Sequence, residues 1–210
     1  MSESGSNRTV TVGELIARLL EATGLTAAFG VISIHNMPIL DAFGRRDRIR
    51  FVPARSEQGA VNMADAYARV SGGIGVAVSS TGTAAGNTCG ALVEALTAGT
   101  PVVHFTGQID TPYLDRNLGF IHEARDQLAM LRAVSKAAYR VASPAAAYDI
   151  VREAIATALT PPMGPVSIEI PIDVQAATVA LPTDLSPLRA GWAPAPAPAA
   201  VDELAKRLAA

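Results

Sequence analysis

The sequence predicts an α/β domain: a doubly wound, mostly parallel sheet with helices on both faces. Two observations carry this expectation. Segments of helical period alternate with short apolar runs, the order from which parallel sheets are built. Those runs are uniformly apolar instead of alternating, as expected of strands buried on both sides. The 210 residues are 50% hydrophobic and 17% charged, ample for one core and too apolar for a disordered chain.

Residues 1–10 are small and polar and read as a flexible N-terminal arm. Thr11 followed three residues later by Glu14 has capping-box spacing, so a helix opens there. Val12, Leu15, Ile16, Leu19 and Leu20 then recur at helical spacing until Gly24, which suits a left-handed C-cap. The run 26–31 is a strand. Helical patterns follow at about 37–44, 56–71, 84–98 and 144–159, and strand-like runs at 49–52, 74–79, 102–106 and 166–170. The α/β domain therefore spans 11–180. Residues 181–200 form a proline- and alanine-rich stretch that reads as an extended linker. Residues 201–210, VDELAKRLAA, begin an amphipathic helix with no body of its own to pack against, so the chain reads as cut within a following domain.

Lysine and arginine total 17 against 19 acidic residues, a net charge of −2, which argues against nucleic acid or an anionic membrane as partner. The single cysteine, Cys89, allows no intramolecular disulfide and no cysteine-rich zinc site. With the polar start MSESGSNRTV it suggests a cytoplasmic protein. The apolar runs are too short to span a bilayer.

Ligands of doubly wound sheets sit at the carboxyl ends of the strands, so chemistry is sought in the loops after Val31, Val52, Ser79 and Thr106. Ser56 is a natural N-cap that puts Glu57 in the first turn of a helix at such an end. A glutamate there also simply complements the helix dipole, an effect of about 0.3–1 kcal/mol. The loop SSTGTAAGNTCGAL admits close backbone approach. Gly82, Gly86 and Gly90 are spaced by four, which fits neither a P-loop nor a GxGxxG dinucleotide turn. Ser33, His35 and Asn36 interrupt an apolar stretch after a strand, a loop position that favours function. His104, inside PVVHFTG, reads as a core residue. His122 and Glu123 form a polar cluster at a helix entry or a pocket rim. No His, Cys, Asp or Glu cluster has metal-ligand spacing, and no GxSxG nucleophile elbow is present.

Five segments, in this order, resemble the N-terminal pyrimidine-binding domain of thiamine-diphosphate enzymes of the acetolactate synthase and benzoylformate decarboxylase type. They are TVGELIARLLEATG, an FG turn leading to MPILDAF, SEQGAVNMADAYARVSGGIGVAVSSTG, AAGNTCGALVEALTAGTPVVHFTGQ and GPVSIEIPIDV. The resemblance spans roughly 11–179 and implies the pyrimidine-domain fold of those enzymes.

By that resemblance Glu57 is the catalytic carboxylate, bonding N1′ of the cofactor aminopyrimidine and favouring the imino tautomer that removes the thiazolium C2 proton. Gly82, Thr83, Asn87 and Gln108 are implied cofactor-binding positions. Ser33, Ile34, His35, Phe120 and His122 are implied to face a small 2-keto acid substrate. Tyr67 and Arg69 fall on helix- and subunit-packing positions.

The sequence also departs from the family. The Pro-Gly pair usual after the first strand is absent, Ser56 stands where histidine often precedes the glutamate, and Ser80 stands where benzoylformate decarboxylase has a pocket histidine. A benzoylformate-specific site is therefore disfavoured. The family holds the diphosphate through Mg2+ on a separate domain with a Gly-Asp-Gly segment, and none exists here. The resemblance thus implies the pyrimidine-binding half of a decarboxylase or carboligase, completed by a second subunit in a homodimer or homotetramer. The alternatives are a naturally separate pyrimidine-domain subunit and a non-catalytic assembly module. Binding of FAD would depend on a domain outside this chain.

Overall fold

A computed structural model describes residues 8–188 and 195–209, and it shows a six-stranded sheet in which every pairing is parallel. The strands are β2 (Ala27–Gly30), β3 (Arg50–Pro53), β4 (Gly75–Ser79), β5 (Val102–Gln108), β6 (Ala137–Arg140) and β7 (Val166–Pro171), ordered β3-β2-β4-β5-β7-β6. A separate antiparallel ribbon joins β1 (Thr9–Thr11) to β8 (Thr178–Ala180). The helices are α1 (Val12–Ala22), α2 (Met37–Arg46), α3 (Glu57–Ser71), α4 (Thr83–Ala98), α5 (Gln127–Val134), α6 (Ala147–Leu159), α7 (Ile172–Ala176) and α8 (Pro198–Leu208).

Uniformly apolar strands follow from two covered faces. Val76 and Val78 of β4, with Val103 and Phe105 of β5, pack in the core that includes Leu15, Ile16 and Leu20 of α1, Phe43 of α2 and Val151 and Ile155 of α6. Their alternate neighbours Ala77 and Val102 pack on the other face with Val61 and Ala64 of α3, Leu92 of α4 and Leu131 of α5. The doubly wound α/β expectation therefore holds. The chain leaves β2 for β3 on one side, then returns past β2 to β4 on the other. The strand order thus reverses between β2 and β4, and the crevice outside their carboxyl ends is the topological switch point.

Local signals act largely as read. Thr11 caps α1, its Oγ1 accepting from Glu14 N at 3.1 Å, while the Glu14 carboxylate turns to Arg18 and does not close a capping box. Thr23 is the C-cap residue and Gly24 follows it at φ 85°.

Several boundaries differ from expectation. Thr9 and Val10, expected within a flexible arm, are held in β1 by β8; the remainder of that arm, residues 1–7, lies outside the described residues. The stretch expected as a linker over 181–200 begins packed on the domain. Leu181, Leu185 and Leu188 pack against the core, and Tyr148 Oη donates to Asp184 O at 2.7 Å. Residues 189–194 of that stretch lie outside the described residues, and α8 begins at Pro198, not at 201. Helix α5 and strand β6 have no counterpart in the sequence reading. Among the described residues no helix is long and apolar enough to cross a membrane.

Candidate functional site

The crevice at the switch point is walled first by the turn after β2. Ser33 N donates to Asn36 Oδ1 at 2.9 Å, and Asn36 Nδ2 donates to Val31 O at 2.9 Å, so a fully buried asparagine knots the turn. Ser33 Oγ then donates across the switch to Ser80 Oγ at 2.6 Å, and Ser80 Oγ lies 3.4 Å from His35 Nδ1. His35 is also fixed from behind. Its carbonyl accepts from Gln175 Nε2 at 2.7 Å and presses on Gly107, where a Cβ would stand 2.2 Å from that oxygen. Burial lowers the His35 pKa, His122 beside it lowers it further, and Asp110 opposes both, so the ring is neutral at neutral pH.

The second wall is the N-terminus of α4. Gly82 sits there at φ 59° and ψ −109°, and a Cβ on it would stand 1.7 Å from the backbone oxygen of His122. Only glycine fits both the conformation and the contact. Thr83 Oγ1 is 3.3 Å from His122 Nδ1, and the His122 ring centroid is 6.4 Å from that of His35. One turn along α4, Asn87 Nδ2 donates to Glu57 Oε2 at 3.1 Å. Glu57 is half-buried in the first turn of α3, whose cap Ser56 accepts from Gly59 N at 3.0 Å.

Hydrogen bonds and ring contacts thus run from Ser33 through Ser80, His35, His122 and Thr83, then along α4 to Asn87 and Glu57. Ile34 lies beside them, largely exposed, and Phe120 stacks on Tyr113 with ring centroids 4.3 Å apart in the loop that carries His122. Gln108 is turned inward. Its Oε1 accepts from Ile109 N at 2.8 Å and Thr81 Oγ1 at 2.9 Å, and its Nε2 lies 3.4 Å from Glu169 Oε2. His104 is a core residue as read, held between Ser79 Oγ at 2.8 Å and Ser167 Oγ at 3.1 Å, with complete burial pushing its pKa down to about 3.

Sequence reasoning missed the polar chain beneath the crevice. Gln127, at the start of α5, accepts from Gly82 N at 2.5 Å and donates to Glu169 Oε2 at 3.0 Å. Glu169, fully buried, is ion-paired to Arg140, which also grips Asp115 at 2.6 Å. A signal was available: Glu169 is the lone charge in the apolar run VSIEIP, and a charge there demands a partner. Among the described residues no group of three or more His, Cys, Asp or Glu can hold a metal ion.

The family described as thiamine pyrophosphate enzyme, N-terminal TPP binding domain, matches residues 10–130, which include Glu57, Gly82, Thr83, Asn87 and both crevice histidines. This chain belongs to that family. A probable 2-ketoarginine decarboxylase of Pseudomonas aeruginosa is 32% identical over 203 residues, 97% of this chain and 36% of that protein. A probable acetolactate synthase large subunit of Methanocaldococcus jannaschii is 32% identical over 77% of this chain and 27% of its own length. A sulfoacetaldehyde acetyltransferase of Castellaniella defragrans is 35% identical over 78% of this chain and 27% of its own. The chain thus spans about a third or less of the length of these relatives. It is an N-terminal domain of the thiamine pyrophosphate enzyme type, with thiamine diphosphate as the family's cofactor.

Proposed function

We propose that this domain is the pyrimidine-binding half of a thiamine-diphosphate-dependent decarboxylase or carboligase acting on small 2-keto acids, with Glu57 as the catalytic carboxylate. The observation that carries the reading is a half-buried glutamate at the first turn of α3, held by the Asn87 amide beside the switch-point crevice. The donor set suits an aminopyrimidine. Asn87 engages Oε2, and the carboxylate keeps further lone pairs with which Glu57 accepts from a protonated ring nitrogen. When bound, thiamine diphosphate supplies a carbon nucleophile and an electron sink for cleavage next to a keto group.

The chain's own residues do the rest. Glu57 holds the proton shared with the ring nitrogen, and Asn87 orients the carboxylate. Gly82, with no side chain, lets the His122 backbone close against the N-terminus of α4, and Thr83 orients His122. On the substrate side, Ser33, Ser80, His35 and His122 offer hydroxyls and imidazoles, and neutral His35 has one nitrogen that donates and one that accepts. Ile34 and Phe120 exclude water at the rim. Gln108 acts from behind, through Thr81 and Glu169. The diphosphate and its Mg2+ are assigned to a domain outside this chain, contributed by a second subunit of a homodimer or homotetramer. Met63 of α3 and Val93 and Leu96 of α4, apolar and exposed on the helices that carry Glu57 and Asn87, support a protein surface covering that side.

In the complete protein, Glu57→Gln is expected to lower kcat on its 2-keto acid by roughly 10²–10⁴-fold while calorimetry still detects the cofactor. Full activity in that variant refutes the assignment.

A further inference from the structure

We propose that Gln127 is a positioning residue: it sets the N-terminus of α4, and through it Asn87 and Glu57, and is held in place by a buried chain that ends on the outer loop. The functional part of this inference rests on the reading of Glu57 given above; the structural part does not.

The chain is continuous. Asp115, in the loop that also carries Phe120 and His122, accepts two bonds from Arg140 of β6, at 2.6 and 3.2 Å. Arg140 donates to Oε1 of the fully buried Glu169 on β7, and Glu169 Oε2 accepts from Gln127 Nε2 at 3.0 Å. Gln127 Nε2 also reaches Gly107 O at 3.2 Å. With both amide protons aimed at the sheet, the Gln127 oxygen faces α4, where it accepts from Gly82 N at 2.5 Å and lies 2.9 Å from Thr81 Oγ1. The orientation is forced, because flipping the amide would put its oxygen against a carboxylate and a carbonyl.

Gly82 is the N-cap residue of α4, and it offers no side chain to cap the helix. A single buried amide oxygen therefore anchors the point at which α4 begins. Asn87 lies five residues on and holds Glu57, so a shift of this anchor moves the catalytic carboxylate's partner. Gly82 also lies directly under the His122 carbonyl, so the same anchor supports the opposite wall of the crevice. Misplacing reacting groups by about 1 Å costs on the order of 10²-fold in rate.

The test uses two variants of the complete protein. Gln127→Met removes both the acceptor for Gly82 and the donors to Glu169. Gln127→Glu keeps the acceptor and regains a donor only when the introduced carboxyl is protonated. The charged groups around it are Glu169 on β7, Arg140 on β6 and Asp115 on the loop, with His122 above Gly82; Glu169 and burial both favour the protonated form.

Amide hydrogen exchange on the cofactor-free protein should show protection of the amides from Gly82 to Asn87 falling by about tenfold or more in Gln127→Met, with β4 and β5 unchanged. In Gln127→Glu the same protection should be near the native level at low pH and be lost as pH rises. With cofactor and substrate, kcat should fall about 10²-fold in Gln127→Met, with little change in KM. Unchanged Gly82 protection in Gln127→Met, uniform loss across the sheet, or a pH-independent Gln127→Glu would overturn the proposal. So would native kcat in a variant whose Gly82 protection is lost while Glu57→Gln is inactive. Failure of the native protein to bind thiamine diphosphate overturns the functional part, and hydrogen exchange then decides the structural part alone.

Discussion

Gly82→Ala is the most direct perturbation of the crevice, and the structure sets its size. The new methyl would stand 1.7 Å from His122 O and 2.6 Å from His122 C, both backbone atoms that no rotamer change can clear. Ordinary contact lies near 3.4 Å, so either the α4 N-terminus or the 119–123 loop must move by more than an ångström. The residue must also hold φ 59° and ψ −109° with a side chain. Backbone strain of about 1–3 kcal/mol and overpacking of similar size together give roughly 2–6 kcal/mol. For a domain of this size that corresponds to a Tm lower by roughly 5–20 °C, read by thermal unfolding. Gly90→Ala is the control. Gly90 lies within the same helix, four-spaced in the same series, but a Cβ there meets nothing within 4 Å. Its replacement should raise stability by about 0.5–1 kcal/mol through helix propensity. A Gly82→Ala protein with native Tm would refute the reasoning, as would equal effects at both glycines.

Two further outcomes test the buried polar groups. The His104 pKa is about 3 in the fold against an ordinary value of 6.5, so the unfolded chain takes up the proton first as pH falls. Stability is then lost as pH drops from about 6.5 toward 3, by about 1.4 kcal/mol per unit at most, and denaturant titrations of His104→Gln should show a flatter slope. His35, also lowered, adds a contribution of the same sign that this variant leaves intact. Equal slopes in the two proteins would refute the assignment. Arg140→Met leaves the buried Glu169 carboxylate without its cation and should lower stability by about 3–5 kcal/mol by urea unfolding. Adding Glu169→Gln to Arg140→Met should recover part of that loss; a double variant no more stable than Arg140→Met would show that the ion pair is not the source.

The sequence by itself determined the elements whose signals are local. Ser56 at a cap, Leu15, Ile16 and Leu19 at helical spacing, and uniformly apolar runs such as 102–106 report which segments are helices and strands, because period and capping act within a few residues. It also placed Glu57 and the 80–83 loop at the carboxyl ends of strands, which in a parallel sheet all point the same way. The family resemblance, carried by the same segments, singled out Asn87 and Thr83.

Only the tertiary structure decided the order β3-β2-β4-β5-β7-β6, and with it the position of the crevice. It also decided which polar side chains line the crevice and which face inward. Gln108 and Gln127 are both glutamines next to loops, yet Gln108 is occupied by Ile109, Thr81 and Glu169, while Gln127 caps α4. Thr9 and Val10 look like part of a polar arm until β8, some 170 residues away, pairs with them. Such destinations depend on distant segments converging on one point. A buried donor or acceptor takes whichever partner the packed chain brings within reach, and that partner's identity is written nowhere in the residue's own neighbourhood.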